Sequence, residues 1–432
     1  MNIQNTQNTL KDIVARNRAG EQVGIYSVCS ANRYVLEAAM IEASASESPL
    51  LIEATCNQVN QDGGYTGMTP ADFRQYVSDI ALDVSFDTRQ LILGGDHLGP
   101  NPWTKLPALA AMEKAIDLVK SYVEAGFTKI HLDASMSCAD DPTPLAPETI
   151  AERAALMCQA AESVCAPGQT LYYVIGTEVP VPGGAQEDLE ELQVTTTTDL
   201  KFTIETHQAL FNKLGISDAL RRVVGVVVQP GVEFDHASVI AYEPTKATAL
   251  KQAIHDFDDI IFEAHSTDYQ TPECLRQLVN DHFGILKVGP GLTFAFREAA
   301  FALSLVEDDW IEPEERSNLR HVLEQTMVSH PDNWQGYYHG SESEQAFARK
   351  YSFSDRSRYY WSHPDVEFAL DKLIRNLTNK PAPLPLISQY LPPQYRALRA
   401  EEVANNPRKF IQHCVQVTLK DYANACGQIG VA

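Results

Sequence analysis

Basic side chains are scarce in this chain of 432 residues. Only 34 Lys and Arg stand against 57 Asp and Glu, a formal net charge of -23. Such a surface disfavours nucleic acid and anionic membranes as partners. An anionic small substrate stays open, because a pocket can be locally positive. Cysteine is also sparse. The eight cysteines (29, 56, 138, 158, 165, 274, 414, 426) form no CxxC pair and are too few for a disulfide scaffold, so they read as reduced thiols of a cytoplasmic protein. No run of about 18 apolar residues occurs, and the opening MNIQNTQNTLKDIVARNRAG lacks an apolar signal core. There is no GxxxxGK loop followed by Ser or Thr, and GIYSVCSAN has the wrong glycine pattern for a dinucleotide loop. Neither ATP nor a nicotinamide cofactor is therefore expected.

The chain does contain eight short, β-rich apolar runs. They are VGIYSVCS (23–30), PLLIEA (49–54), LILGGDH (91–97), KIHLDAS (129–135), YYVIGTEVP (172–180), RVVGVVVQPG (222–231), DIIFEAHST (259–267) and ILKVGPG (285–291). Continuous rather than alternating apolar runs suit strands buried on both faces of a parallel sheet. Helix-patterned segments separate them, such as TPADFRQYVSDIAL (69–82), with a Thr cap and Pro at the first helical position, and ALAAMEKAIDLVKSYVEAG (108–126), ending on glycine. Segments 142–164 and 298–309 read the same way. Eight β-then-α units predict an α/β fold, a (β/α)8 TIM barrel over residues 1–309, in preference to an open doubly wound sheet. Beyond residue 310 strand-like runs vanish and Trp, Tyr, Arg and Pro become frequent. Residues 310–432 are expected to form a mostly helical C-terminal region, packed on the barrel or on a neighbouring subunit.

Polar residues at the C-terminal tips of barrel strands face the active-site mouth. His97, Glu178, His236 and His265 lie at or just past four such tips. Three imidazoles and a carboxylate suit a divalent metal, zinc first and manganese second. Each histidine alone could equally be an ordinary hydrogen-bonding side chain in a polar mouth. His131 is a weaker candidate, sharing one strand face with Asp133 and Ser135. Asp96 neighbours His97, so their side chains should leave a regular strand on opposite sides. Only a twist at the tip would bring Asp96 to the mouth as general acid/base, and a structural loop-capping role is the alternative. The acid run of residues 178–191 (EVPVPGGAQEDLEE) reads first as a plain solvated loop and second as a lid carrying Glu187 near the mouth. Lys287 with Gly289 and Gly291, just before a helix, offers amide donors to an anion, with Ser266 beside it. An ordinary turn is the alternative there. Arg356 and Arg358, in SDRSRYYW, read first as locally salt-bridged and second as phosphate contacts.

The stretches IEATCNQVNQDGGYTGMTPADF, LGGDHLGPN, KIHLDASMSCADDPTPLAPET, GTEVPVPGG, VVQPGVEFDH, EAHSTDYQT, KVGPGLTFAFREA and YSFSDRSRYYW resemble the Z-subunit family of tagatose-1,6-bisphosphate aldolase. The resemblance runs from about residue 10 to 430. Close relatives are known as tagatose 6-phosphate 4-epimerases, and some carry a tagatose 6-phosphate kinase label. The resemblance implies a class II aldolase-like barrel with a divalent-metal site. Asp96-His97 resembles the catalytic pair of class II aldolases, Asp133-Ala134-Ser135 their Asp-x-Ser strand, Glu178 with Gly183-Gly184 their Glu and Gly-Gly loop, and His265-Ser266 their last zinc histidine and its phosphate-binding neighbourhood. Two departures stand out. VVVQPGVEFDH replaces an Asn-x-His-Gly strand, leaving Gln229, His236 or nothing as the ligand. KVGPG replaces an Asn-x-Asp-Thr phosphate motif. Both argue against aldolase activity by this chain alone. Two functions follow from the resemblance: an accessory subunit that stabilises a catalytic Y subunit, and a stand-alone, metal-dependent tagatose 6-phosphate 4-epimerase. Both bind a ketose phosphate, through Asp133, Ser135, Gln229, Ser266, Lys287, Gly289 and Gly291. Whether the chain forms a homo-oligomer is open.

Overall fold

All eight apolar runs become strands. A computed structural model describes residues 4–177 and 192–428. Its barrel strands are Ile25–Val28, Leu50–Thr55, Leu91–Leu98, Lys129–Leu132, Tyr172–Ile175, Val223–Val227, Ile261–Ala264 and Ile285–Val288. They pair in parallel and in order, and the eighth closes on the first. The closed barrel, not the open sheet, is the fold. Helices alternate with the strands. Pro70–Asp83 starts in a full capping box between Thr69 and Asp72, which satisfies amides the helix itself leaves free. The eighth barrel helix begins at Pro290, earlier than its apolar pattern suggested, and runs to Trp310. The proline fixes the backbone of the first helical position, where no amide is needed. Among the described residues no helix is long and apolar enough to cross a membrane.

The interior is layered because strand side chains alternate with a period of two. At the bottom, Ile25, Leu51, Ile92, Ile261 and Ile285 pack on Leu10, Ile13 and Val14 of the N-terminal helix, which plugs that end. Two residues further along the same strands stand Ser27, Glu53, Gly94, Glu263 and Lys287. Two further still stand Cys29, Thr55, Asp96, His265 and Gly289. The barrel thus passes from apolar to charged to chemically reactive along its axis.

The middle layer is a closed set of ion pairs. Lys129 Nζ lies 2.7 Å from both Glu53 Oε1 and Glu263 Oε2. Lys287 Nζ bonds Glu53 and lies 2.9 Å from Asp96 Oδ1. Gly94 makes room for it: a Cβ there would stand 2.5 Å from Glu53 Oε1.

Beyond the barrel the chain is helical. The last helix, Pro407–Ala425, lies against the barrel helices Arg33–Ala45, Pro272–Asn280 and Pro290–Trp310. Tyr422 Oη donates to the Thr267 carbonyl at 2.7 Å, and Gln412 Nε2 to Glu37 Oε2 at 2.9 Å. The C-terminal helix therefore completes the outer ring between the first and last barrel helices. Removing one partner of a buried ion pair leaves uncompensated charge, at a cost of about 3–5 kcal/mol. Lys129→Met is accordingly expected to lower unfolding free energy by about that amount in urea denaturation. An unchanged midpoint would mean that Glu53 and Glu263 do not need the ammonium.

Candidate active site at the barrel mouth

Asp96 and His97 both reach the mouth because the third strand is not regular there. Its pairing with the fourth strand shifts between Gly95 and Leu98, and His97 has φ +48°. This bulge turns two adjacent side chains to one side, which an ideal strand cannot do. Gly99 follows at a point of close approach, where a Cβ would stand 1.6 Å from the Asp133 carbonyl oxygen.

Asp96 is the hub. Its Oδ1 lies 2.9 Å from His131 Nδ1 and accepts from the His97 backbone amide at 3.0 Å. Burial pushes its carboxyl up, but His97, Lys287, His131 and His265 outweigh burial and hold it well below the ordinary range. Burial likewise works against the Lys287 ammonium, yet Asp96 and the other acids around it raise it well above a free lysine. His97 Nδ1 lies 2.8 Å from Asp133 Oδ2. Burial depresses this imidazole, and Asp96 and Asp133 more than reverse that. His265 Nε2 lies 3.0 Å from Glu263 Oε1. Burial dominates there and brings the ring down to about 4, so it is neutral at pH 7.

The rings of His97, His131 and His265 form a triangle with centroids 4.8–5.3 Å apart. Asp96, His131, Glu263 and His265 each offer a ligand atom, all four within 4.8 Å of one another and all buried. With Nδ1–H of His131 given to Asp96, its Nε2 carries the lone pair, and that buried atom has no hydrogen-bond partner. Four buried carboxylates (Glu53, Asp96, Asp133, Glu263) face two buried ammoniums and the His97 imidazole, which leaves negative charge over even with His97 protonated. An orphaned imidazole nitrogen, a neutral second imidazole and excess negative charge fit a divalent ion.

This set differs from the one read in the sequence. His97 and His265 do come together. Glu178 and the 178–191 loop lie outside the described residues. His236 does not join the cluster: its Nε2 lies 3.0 Å from the Tyr337 carbonyl and its Nδ1 3.2 Å from the hydroxyls of Ser352 and Ser354. The loop beyond the sixth strand carries it to the C-terminal region. Gln229 turns its Oε1 to its own loop, where it accepts from the Gly231 and Val232 amides at 2.8 and 3.0 Å. Asp133 is hydrogen-bonded to His97 and to the Ser135 hydroxyl at 2.6 Å, so this pair orients an imidazole. His131, Glu263 and Lys129 belong to the cluster and its floor as well. Their signal was two-residue spacing: Lys129, His131 and Asp133 share a strand face, as do Ile261, Glu263 and His265.

A cavity of about 250 Å3 opens above the cluster. Asp96, His97, His265, Ser266, Lys287 and Gly289 line it from the barrel, and Arg356, Arg358 and Tyr359 from the C-terminal segment. The two arginines are not salt-bridged to their neighbour Asp355, whose carboxylate is taken by Thr293, Arg297 and Ser357.

Residues 10–427 match the family model described as D-tagatose-1,6-bisphosphate aldolase subunit GatZ/KbaZ-like. The chain belongs to this family. Its role is therefore related to tagatose-bisphosphate aldolase. A crystal structure of a probable tagatose 6 phosphate kinase from Sinorhizobium meliloti 1021 is 48% identical, covers 93% of this chain and 100% of its own, and superposes with a TM-score of 0.87. Fructose-bisphosphate aldolase from Campylobacter jejuni is 13% identical, covering 86% of this chain and 92% of its own (TM-score 0.48). The fructuronate-tagaturonate epimerase of Cohnella laeviribosi is 12% identical, covering 94% and 81% (TM-score 0.46). These last two are too remote to bear on function.

Where the cluster holds a metal, zinc or manganese titrated into the chelator-treated GatZ/KbaZ-like chain should bind at about one ion per chain. His131→Ala should weaken that binding by more than the roughly 10–100-fold typical of losing an outer-shell partner. Equal affinity in calorimetry would remove His131 from the ligand set.

Proposed function

We propose that this chain is a metal-dependent ketose-phosphate enzyme in its own right, a D-tagatose 6-phosphate 4-epimerase working by retro-aldol cleavage and re-addition at C3–C4. The observation that carries this reading is a buried carboxylate, Asp96, opening with Lys287, His97 and His265 onto one cavity. A subunit that only stabilised another would have no use for so much desolvated charge.

Asp96 accepts the proton of the C4 hydroxyl. The O–H electron pair becomes the new C4 carbonyl bond, and the C3–C4 bond breaks. Its electrons go to C3, giving an enediolate with its charge shared onto the C2 oxygen. The Lys287 ammonium, fixed by Glu53 and Asp96, faces that developing charge without needing to reorganise. The three-carbon aldehyde turns its other face, the C3–C4 bond re-forms, and Asp96 returns the proton. Nothing is oxidised overall, so no nicotinamide is needed. The neighbours that keep Asp96 ionised also weaken it as a base, so the sugar oxygens need an electrophile. A divalent ion held by His131, Glu263 and His265, with Asp96 and His97 close by, would supply it as a Lewis acid.

A second reading is favoured by the family description, which is that of an aldolase subunit. In it the chain binds and stabilises a separate catalytic Y subunit, and its own cavity only holds a ketose phosphate. Purified alone and loaded with zinc or manganese, the chain should convert tagatose 6-phosphate to fructose 6-phosphate. Chelator should stop the conversion, and Asp96→Asn should slow it about 10²–10⁴-fold. No turnover by the metal-loaded chain, with aldol cleavage of the bisphosphate appearing only beside a Y subunit, would select the second reading.

A further inference from the structure

The glycine loop after the eighth strand is the expected seat for a phosphate in such a barrel. Here its donors are already used. The backbone amides of Gly289 and Gly291 both donate to Asp268 Oδ1, at 2.9 and 2.7 Å. Burial pushes that carboxyl up to about 6, so at neutral pH the loop holds an anion of its own. A phosphate placed there would lose the amides and meet a like charge.

We propose that the phosphomonoester of the substrate is instead gripped by Arg356 and Arg358, which the C-terminal segment carries over the barrel mouth. This rests on the ketose-phosphate reading of the cavity. Both arginines line the cavity that Asp96, His97, His265 and Lys287 line from below. Their polar contacts are neutral: Arg356 Nε bonds the Asn333 carbonyl, and Arg358 bonds the carbonyls of Ser354 and Asp355 and the Tyr359 hydroxyl at 2.9 Å. Among the described residues neither forms an ion pair with a carboxylate. Asp268 and Asp355 act on Arg358 only from beyond ion-pair distance, and in a chain of net charge -23 two adjacent guanidiniums without a carboxylate in direct contact mark a site kept for an anion. Tyr359 registers that field. Burial raises its phenol, yet Arg358 and Arg356 outweigh burial and lower it.

The site is also built to be rigid. Asp355, at φ +41°, anchors the turn to the eighth barrel helix by accepting from Thr293 Oγ1 at 2.6 Å and Arg297 Nε at 2.9 Å. His236 holds the preceding stretch, its carbonyl accepting from the Phe353 amide at 3.0 Å. The Arg356 guanidinium lies 3.3 Å from the Tyr337 ring centroid and that of Arg358 4.5 Å from Tyr359. Stacked, pre-ordered guanidiniums suit the paired oxygens of a phosphate better than an ammonium does.

The test uses inorganic phosphate as probe and needs no turnover. Titrated into the full chain and followed by calorimetry and 31P NMR, phosphate should bind. Arg356→Met and Arg358→Met should each weaken it about 10-fold or more, and the pair should abolish saturable binding. Arg358→Lys, which keeps the charge and spares the fold, should weaken it partway, because it lacks the fork. Should the methionine variants fail to fold, the lysine variant decides alone. Wild type that binds no phosphate, or variants that bind it as wild type does, would overturn the assignment. So would Asp268→Ala tightening phosphate while the arginine variants leave it unchanged. A chain that binds phosphate through both arginines yet converts no sugar upholds the assignment and removes the epimerase reading instead.

Discussion

The barrel depends on keeping charge in its middle layer without water. Glu53, Lys129, Glu263 and Lys287 are all buried, and a charge so placed survives only beside an opposite one. Four strands supply one partner each, and Lys129 spans two of the carboxylates. The network therefore fixes the relative positions of the second, fourth, seventh and eighth strands more tightly than an apolar layer could. It costs stability, since well-packed hydrophobic side chains would do as well or better in the same space. What it provides is a polar floor whose residues are fixed before any ligand arrives. Lys287 shows the link to function: the same ammonium closes the network and touches Asp96 at the mouth.

The order of the layers explains why the fold was legible in the sequence and the site only partly so. Eight apolar runs separated by amphipathic segments leave few topologies open, and each run forms its strand within a few residues of the expected place. Stepping two residues along a run also gives the layers: Ile261, Glu263, His265 reads from floor to mouth. Three things were hidden. Adjacent Asp96 and His97 converge through a bulge and a left-handed residue, which no pattern of residue types announces. His236 lies near a strand end in sequence, but its loop carries it to Tyr337 and Ser354, more than a hundred residues away. The amides of Gly289 and Gly291 are free by local pattern, but Asp268, some twenty residues earlier, uses both. Local chemistry reads from local sequence; loops and long-range caps do not.

The C-terminal region is more than a cover. Its last helix completes the outer ring of the barrel, and its segment around Asp355 forms one wall of the cavity. Asp355 sits buried between Thr293 and Arg297 of the eighth barrel helix, and so ties that wall to the same helix that follows Lys287. Floor and wall are thus referenced to neighbouring stretches of one strand-helix unit. Motion of that unit would carry both together, and their separation across the cavity is set by the rigid barrel rather than by a hinge.

Charge is distributed along the barrel axis in a way that separates two tasks. The lower part of the cavity is rich in carboxylates, with negative charge left unbalanced, which suits a cation and repels a phosphate. The upper part carries two guanidiniums with no carboxylate in direct contact, which suits a phosphate and repels a cation. A ketose phosphate has the matching polarity: hydroxyls and a carbonyl at one end, a dianion at the other. Entering the cavity reversed, it would bring its phosphate to Asp96 and Glu263 and leave both arginines unpaired, a double penalty. On the epimerase reading, the orientation that puts C3 and C4 beside Asp96 and Lys287 is therefore selected by charge before any hydrogen bond to an individual hydroxyl is made.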